Sequence, residues 1–366
     1  LGKQQMAWGK MDGQFIDVIN SMDFRESVQL EAADYEVRRL PMWMANLTYY
    51  FDDVSLNVLW IPDFEANVNP AYGSPWQSPL VPPDDESARN NDALLNNRSN
   101  AAGDRVLQTK RPDWTHPSDH QIAARLDIAS GALTWGLVYY FAWERDASPF
   151  VTGRFTDGSG DHLIITPEHE RLHHFGITSD YAWVAKGVPL IGTLPVVLRA
   201  EALYTKDANF VDYRNLAAVR AGGSGNGISE HDTLRAALAF EFAFPSKISV
   251  IFQPSFYYTF DWHEGLGVGY GGAIGDEWNF APVFFISRPV QRTRDRLMLS
   301  ATVTPYLSGS NRDYQGTKTK LMASYEISPF VNGSLIYTDY HGGDDDDLFG
   351  QFHQYDNIGV ELQYEF

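Results

Sequence analysis

Hydrophobic side chains recur at every second position over much of this chain. Between 232 and 244, Leu234, Ala236, Leu238, Phe240, Phe242 and Phe244 alternate with Arg235, Ala237, Ala239, Glu241 and Ala243. In 119–130, Ile122, Ala124, Leu126 and Ile128 alternate with Gln121, Arg125 and Asp127. In 193–205, Leu194, Val196, Leu198, Ala200, Ala202 and Tyr204 point away from Arg199 and Glu201. The chain ends on the same beat, with Ile358, Val360, Leu362, Tyr364 and Phe366 set against Asn357, Gly359, Glu361, Gln363 and Glu365. Period two is the mark of a strand with one dry face and one wet face. The pattern predicts about fourteen strands, at 1–9, 38–51, 54–61, 119–130, 132–143, 171–185, 193–205, 232–244, 247–260, 278–288, 295–306, 318–327, 331–340 and 354–366. Segments 1–9 and 278–288 fit least well, the second because Pro282 stands in mid-run and cannot donate to a ladder.

The connections alternate short and long. The short ones are Asp52-Asp53, Gly131, 186–189, Pro245-Ser246, 289–294 and Ser328-Pro329. The long ones are 10–37, 62–118, 144–170, 206–231, 261–277, 307–317 and 341–353. That parity predicts an all-β fold, a transmembrane up-and-down antiparallel β-barrel forming one domain over 1–366. Tight turns gather at one rim and long loops at the other. Closure removes the edges that an open sheet would expose. Loop 62–118 is proline-rich, with an Asn-rich centre at Asn90, Asn91, Asn96 and Asn97. A loop of that length is functional or disordered, and 62–118 and 10–37 are expected to cover the mouth or fold into the lumen.

A charge facing lipid costs about 2–4 kcal/mol at the bilayer midplane. Charged positions inside strands therefore fix which face is wet. They predict a lumen lined by Arg125, Asp127, Arg199, Glu201, Arg235, Glu241, Arg296, Lys320, Glu326 and Glu361, a mixture of both signs. Aromatic residues make up 14% of the chain, which suits interfacial girdles. The mean hydropathy is -0.30, and no apolar run approaches the length of a spanning helix. The net charge of -19 argues against a nucleic-acid partner. The long links alone sum to -20, so the strands and tight turns are nearly neutral and the outer mouth is acidic. With 0 cysteines, the chain has no disulfide, thiolate metal site or thiol nucleophile. It begins at Leu1 without an initiator Met, which predicts a processed or trimmed N-terminus.

Few constellations carry chemistry. Asp344, Asp345, Asp346 and Asp347 offer oxygen ligands for a cation, but lack the alternating spacing of a calcium loop. A solvated acidic loop tip is the plainer reading. His169 and His173 are four apart beside Glu170, a zinc-like spacing only on a helix. His173 and His174 lead into a strand instead, where they point to opposite faces. The glycine tract Gly265, Gly267, Gly269, Gly271 and Gly272 is not followed by the Lys-Ser/Thr of a phosphate loop. A barrel-embedded lipid hydrolase would need Ser, His and an acid or amide in reach, and no spacing singles out such a trio. No catalytic residue, cofactor or enzymatic activity is expected.

The closing strand resembles the C-terminal strand of bacterial outer-membrane barrels, which commonly finish on an aromatic residue. The stretch Gly2-Lys3-Gln4-Gln5-Met6-Ala7-Trp8-Gly9-Lys10-Met11-Asp12, followed by Asp17-Val18-Ile19-Asn20-Ser21-Met22-Asp23, resembles a proteobacterial family of outer-membrane barrels known only as a domain of unknown function. That family carries a G-x-Q-x-x-x-W-G-x-x-D element and then D-x-x-N-x-x-D. Arg39-Leu40-Pro41-Met42-Trp43 and Trp60-Ile61-Pro62-Asp63-Phe64 resemble it as well. The resemblance implies a porin-like barrel with no secured activity. It also implies that strands normally precede the motif, giving 14–18 strands in all.

The expectation that follows is an integral protein of the bacterial outer membrane, in contact with its lipid. It would act as a channel for passive passage of small solutes. The other reading is a structural or export barrel that sheathes a partner in the envelope: a secreted polymer, a lipid-like molecule or an electron-transfer cytochrome.

Overall fold

The computed structural model describes residues 1–11, 16–25, 38–70, 104–269, 276–309, 313–344 and 347–364. Thirteen strands among them form one antiparallel wall. They are β1 (Met42–Phe51), β2 (Val54–Ile61), β3 (Gln121–Ser130), β4 (Leu133–Trp143), β5 (Arg171–Val188), β6 (Gly192–Asp212) and β7 (Ile228–Ala243). The wall continues with β8 (Ser249–Gln253, then Ser255–Thr259), β9 (Trp278–Phe280, then Val283–Pro289), β10 (Leu297–Ser308), β11 (Asp313–Ser328), β12 (Val331–His341) and β13 (Asn357–Tyr364). Each strand pairs with the next in chain order, the meander of an up-and-down barrel.

The register puts the alternating apolar residues in contact across strands. Leu126 of β3 lies opposite Leu56 and Leu137, and Ile177 of β5 lies opposite Leu137 and Ala202. Phe284 of β9 faces Phe252 and Val303. This face is bare: Phe175, Ile177, Ile286, Leu299 and Leu321 are each close to half exposed. An apolar surface that runs from strand to strand around the wall is not sustained in water, but it is what hydrocarbon solvates. Tight turns join the strands at one rim. Asp52 (φ 41°) and Gly131 (φ 62°) take the left-handed backbone that such turns need.

Several elements differ from the sequence pattern. Segment 1–9 is not a wall strand: only Gly2–Gln4 pairs, against Met42–Met44, and the chain then leaves the wall. Pro282 splits β9, as the missing amide predicts, and Pro254 splits the neighbouring β8. Strands β5, β6 and β7 run to 18, 21 and 16 residues, beyond what a bilayer requires. Link 144–170 is not a plain loop but a hairpin, Ser148–Asp157 with Gly160–Glu168, joined in parallel by Arg105–Val106. Link 206–231 holds helix α1 (Tyr213–Arg220), capped by the Asp212 carboxylate accepting from the amides of Arg214 and Asn215. Val219 of α1 packs on Val151 and Leu163 of the hairpin, so the outer links form an ordered collar.

The wall has two ends, β1 and β13. Both run toward the tight-turn rim, and among the described residues no backbone pairing joins them.

Candidate functional site

Past Gln4 the chain turns into the barrel. Trp8, Ile16, Val18 and Ile19 are buried against Met42, Met44, Leu59, Ile61, Ala123, Val138, Tyr140, Ala142 and Leu203. These wall residues occupy inward positions of β1 to β4 and of β6. The Trp8 and Tyr140 ring centroids are 5.3 Å apart. One side of the lumen is thus apolar and is covered by an apolar insert. Each large side chain so buried contributes about 1.5–3 kcal/mol to holding it there. Farther along the wall, Met11 packs against Ala237, Ala239 and Tyr257.

The insert has its own scaffold. The Asp17 carboxylate accepts the amides of Trp8 (2.7 Å) and Gly9 (2.8 Å) and pairs with Arg39 at 2.8 Å. Burial pushes this carboxyl up, while Arg39 and the two amides pull it back. Asn20 accepts the Met6 amide at 3.2 Å and donates to the Met6 carbonyl. Gly9 admits no side chain without adjustment, since a Cβ there would stand 2.9 Å from Asp17 Oδ2. Trp8, Gly9, Asp17 and Asn20 are the motif residues of the N-terminal stretch, and their spacing builds this folded unit. Asp12 lies outside the described residues.

Wall charges fasten the insert. Arg125 donates to the Trp8 carbonyl and forks onto Asp127 at 2.7 Å. Glu201 accepts the Lys10 amide, and the Lys10 ammonium pairs with Asp180. At the collar, three consecutive residues after β4 each grip a different piece. Arg145 donates to the Ile19 carbonyl and to Gln121 Oε1 (3.0 Å). Asp146 accepts from Asn67 at 2.9 Å. Glu144 accepts from Asn209 (3.2 Å) and Ser148 (3.3 Å), and Asn209 also donates to Glu170 at 3.2 Å. Burial pushes the Glu144 carboxyl up to about 8, with the Glu170 charge adding to it against the Asn209 and Ser148 hydrogen bonds.

The ten residues expected in the lumen divide. Arg125, Asp127 and Glu201 serve the insert as described. Arg199 and Glu241 form an ion pair across β6 and β7, and Arg235 is buried on the inner face of β7. Lys320 is half-buried on β11, opposite Thr302 and Thr338. Glu326 and Glu361 are exposed near the tight-turn rim, the latter on the end strand. Arg296 departs from the expectation. It sits in the turn before β10, donates to the carbonyls of Glu326 (2.8 Å) and Ile327, and lies 5.2 Å from the Tyr325 ring centroid. The chain end of β11 offers it nearer acceptors than the lumen does.

The metal candidates gain little. The Asp344 amide donates to Asp347, while Asp345 and Asp346 lie outside the described residues. Among the described residues no group of three or more His, Asp or Glu is arranged to hold an ion. His173 and His174 do point apart: His173 stacks on Phe141 at 4.6 Å on the outer face, and His174 is buried inward beside Thr205 Oγ1 at 2.9 Å. His169 contacts the Glu144 carbonyl at 2.9 Å. Link 341–353 turns inward at its end, where Phe349 and Phe352 pack on Tyr306 and Tyr340 and roof part of the lumen. The Asn-rich centre of 62–118, most of 26–37 and Gly271-Gly272 lie outside the described residues.

A meandering antiparallel wall, apolar outside and partly filled by its own chain within, defines a β-barrel of the transmembrane type. The chain belongs to the family described as Protein of unknown function (DUF1302), whose model matches residues 1–366. No curated protein matches it. Among solved structures it is similar to the crystal structure of Acinetobacter baumannii OccAB4, with 8% identity and a TM-score of 0.45. That similarity covers 89% of this chain and 65% of the other, so the chain spans less than two thirds of the length of that structure.

Proposed function

We propose that this protein is a channel of the bacterial outer membrane for passive diffusion of small solutes. One observation carries the reading: among the described residues, the insert covers one side of the lumen, along β1 to β7. A barrel built to be sealed would be filled across its width, whereas this filling narrows and does not need to plug. On the filled side Lys10 pairs with Asp180, Arg125 with Asp127 and Arg199 with Glu241, so these charges offset one another and weaken any field of one sign. The acidic outer links favour cations at low salt and lose that effect as salt rises.

Reconstitution in a planar bilayer tests this. The expected result is a steady ohmic conductance with a mild cation preference that fades at high salt. A silent protein that purifies with a bound envelope partner would instead favour the sheath. Glu241→Gln leaves Arg199 without its carboxylate and is expected to move the reversal potential toward anions while leaving assembly intact.

A further inference from the structure

The two sides of the lumen differ in cover. On β3 to β7, the inward residues Ala123, Tyr140, Thr178, Glu201, Leu203 and Ala237 are all buried beneath the insert or its attachments. Among the described residues, the inward side chains nearer the tight turns of β9 to β12, Ser287, Ser300, Thr302, Ser324, Asn332 and Ser334, are only half-buried, while Thr304, Lys318 and Thr338 toward the roof are buried. The register lines these up from strand to strand. Ser249 faces Ser287, Ser287 faces Ser300, and Ser324 faces Ser334, whose hydroxyl donates to it at 3.1 Å. The less covered side is therefore a strip that carries rows of hydroxyls and one amide, with Phe285, Met298, Met322 and Ile336 between them and Lys320 beside Thr302.

From this placement we propose that solutes pass along the β9–β12 wall, and that the strip is made for uncharged, hydroxyl-rich solutes of the polyol or sugar class. The inference rests on the channel reading and adds to it a path and a substrate class. Hydroxyls both donate and accept, so they replace the water that a polyol sheds without holding it as a fixed charge would hold an ion. Ions meet two opposed stretches in series. The acidic links at the mouth oppose anions. Lys320 on the strip, with Lys318 above it under the roof, opposes cations. A neutral solute meets neither.

The chain has 0 cysteines, so single cysteines report position without a background. Ser300→Cys, Ser334→Cys and Ala237→Cys would be reconstituted in the full protein and treated with a cationic methanethiosulfonate from the aqueous side. Heat-dependent gel mobility would check that each barrel is folded. Conductance is expected to fall in the two serine variants and to stay unchanged in Ala237→Cys. A folded, conducting barrel that responds only at Ala237→Cys would overturn the path. In proteoliposomes, a neutral disaccharide is expected to enter about threefold or more faster than a sugar acid of similar size. Equal rates would overturn the substrate class. A wild-type protein that neither conducts nor swells liposomes would remove the channel reading itself, which is a separate outcome.

Discussion

Asp17 satisfies two main-chain amides and a guanidinium from a site almost out of reach of water. A carboxylate so placed is costly to bury and costlier to lose, because its partners would be left without an acceptor. Glu144 is the contrasting case. It sits beside Glu170 with its Oε1 unpartnered, and burial favours its neutral form. The sign of its pH effect follows. The folded value of about 8 lies above the ordinary 4.5, so its contribution to the collar is fully present at acid pH and fades as pH rises through about 8. The expected loss between those limits is on the order of 5 kcal/mol. Glu144→Gln should flatten the dependence, which denaturant titration of the reconstituted protein at pH 5 and pH 9 would measure. If wild type and variant lose stability in parallel over that range, the pH response lies elsewhere.

The insert is where reading the sequence alone falls short. Period two identifies a strand from residues that are near neighbours, and Met6 and Trp8 satisfy it locally. Their real partners, Asn46, Tyr140 and Arg125 among them, lie far away in sequence. A signal did exist. Met42, Met44, Leu59, Ile61, Val138 and Leu203 are apolar at positions whose alternation points them inward, where a water-filled lumen would call for polar side chains. Six such exceptions, on β1, β2, β4 and β6, mark a docking patch. The motif Trp8-Gly9 with Asp17 and Asn20 then gains a physical reason, as the framework of the piece that docks. Trp8→Ala empties the largest contact and is expected to weaken docking by about 3–5 kcal/mol. Single-channel current should rise or grow noisy while the barrel still assembles. An unchanged current would mean that the insert does not narrow the passage. Arg145→Ala, which releases the Ile19 carbonyl at the other end, should act in the same direction with smaller effect.

At the scale of the whole molecule, strand order and face were readable because lipid enforces them. A residue on the outer face has only hydrocarbon to meet, so the alternation must be kept. Leu234, Leu238 and Phe240 against Arg235, Ala237 and Ala239 obey it, and so do Ile358, Val360 and Leu362. The collar was less readable, because hairpin 148–168 and helix α1 answer to one another and not to the bilayer. Ile177→Lys tests the lipid assignment. The charge would sit on the bare face of β5 and is expected to cost about 2–4 kcal/mol near the midplane. Folding yield in vesicles should drop, and a substitution tolerated as well as wild type would argue that water, not lipid, bathes that face.

The two ends of the wall set a parity rule. Because β1 and β13 descend in the same direction, stitching them directly would give a parallel ladder, and only an odd number of intervening strands restores antiparallel neighbours throughout. Whatever chain supplies them has its phase fixed in advance. Its greasy residues must come into step with Leu47 and Tyr49 on one flank and with Val360 and Leu362 on the other. A slip of one residue would turn the whole set toward the water inside.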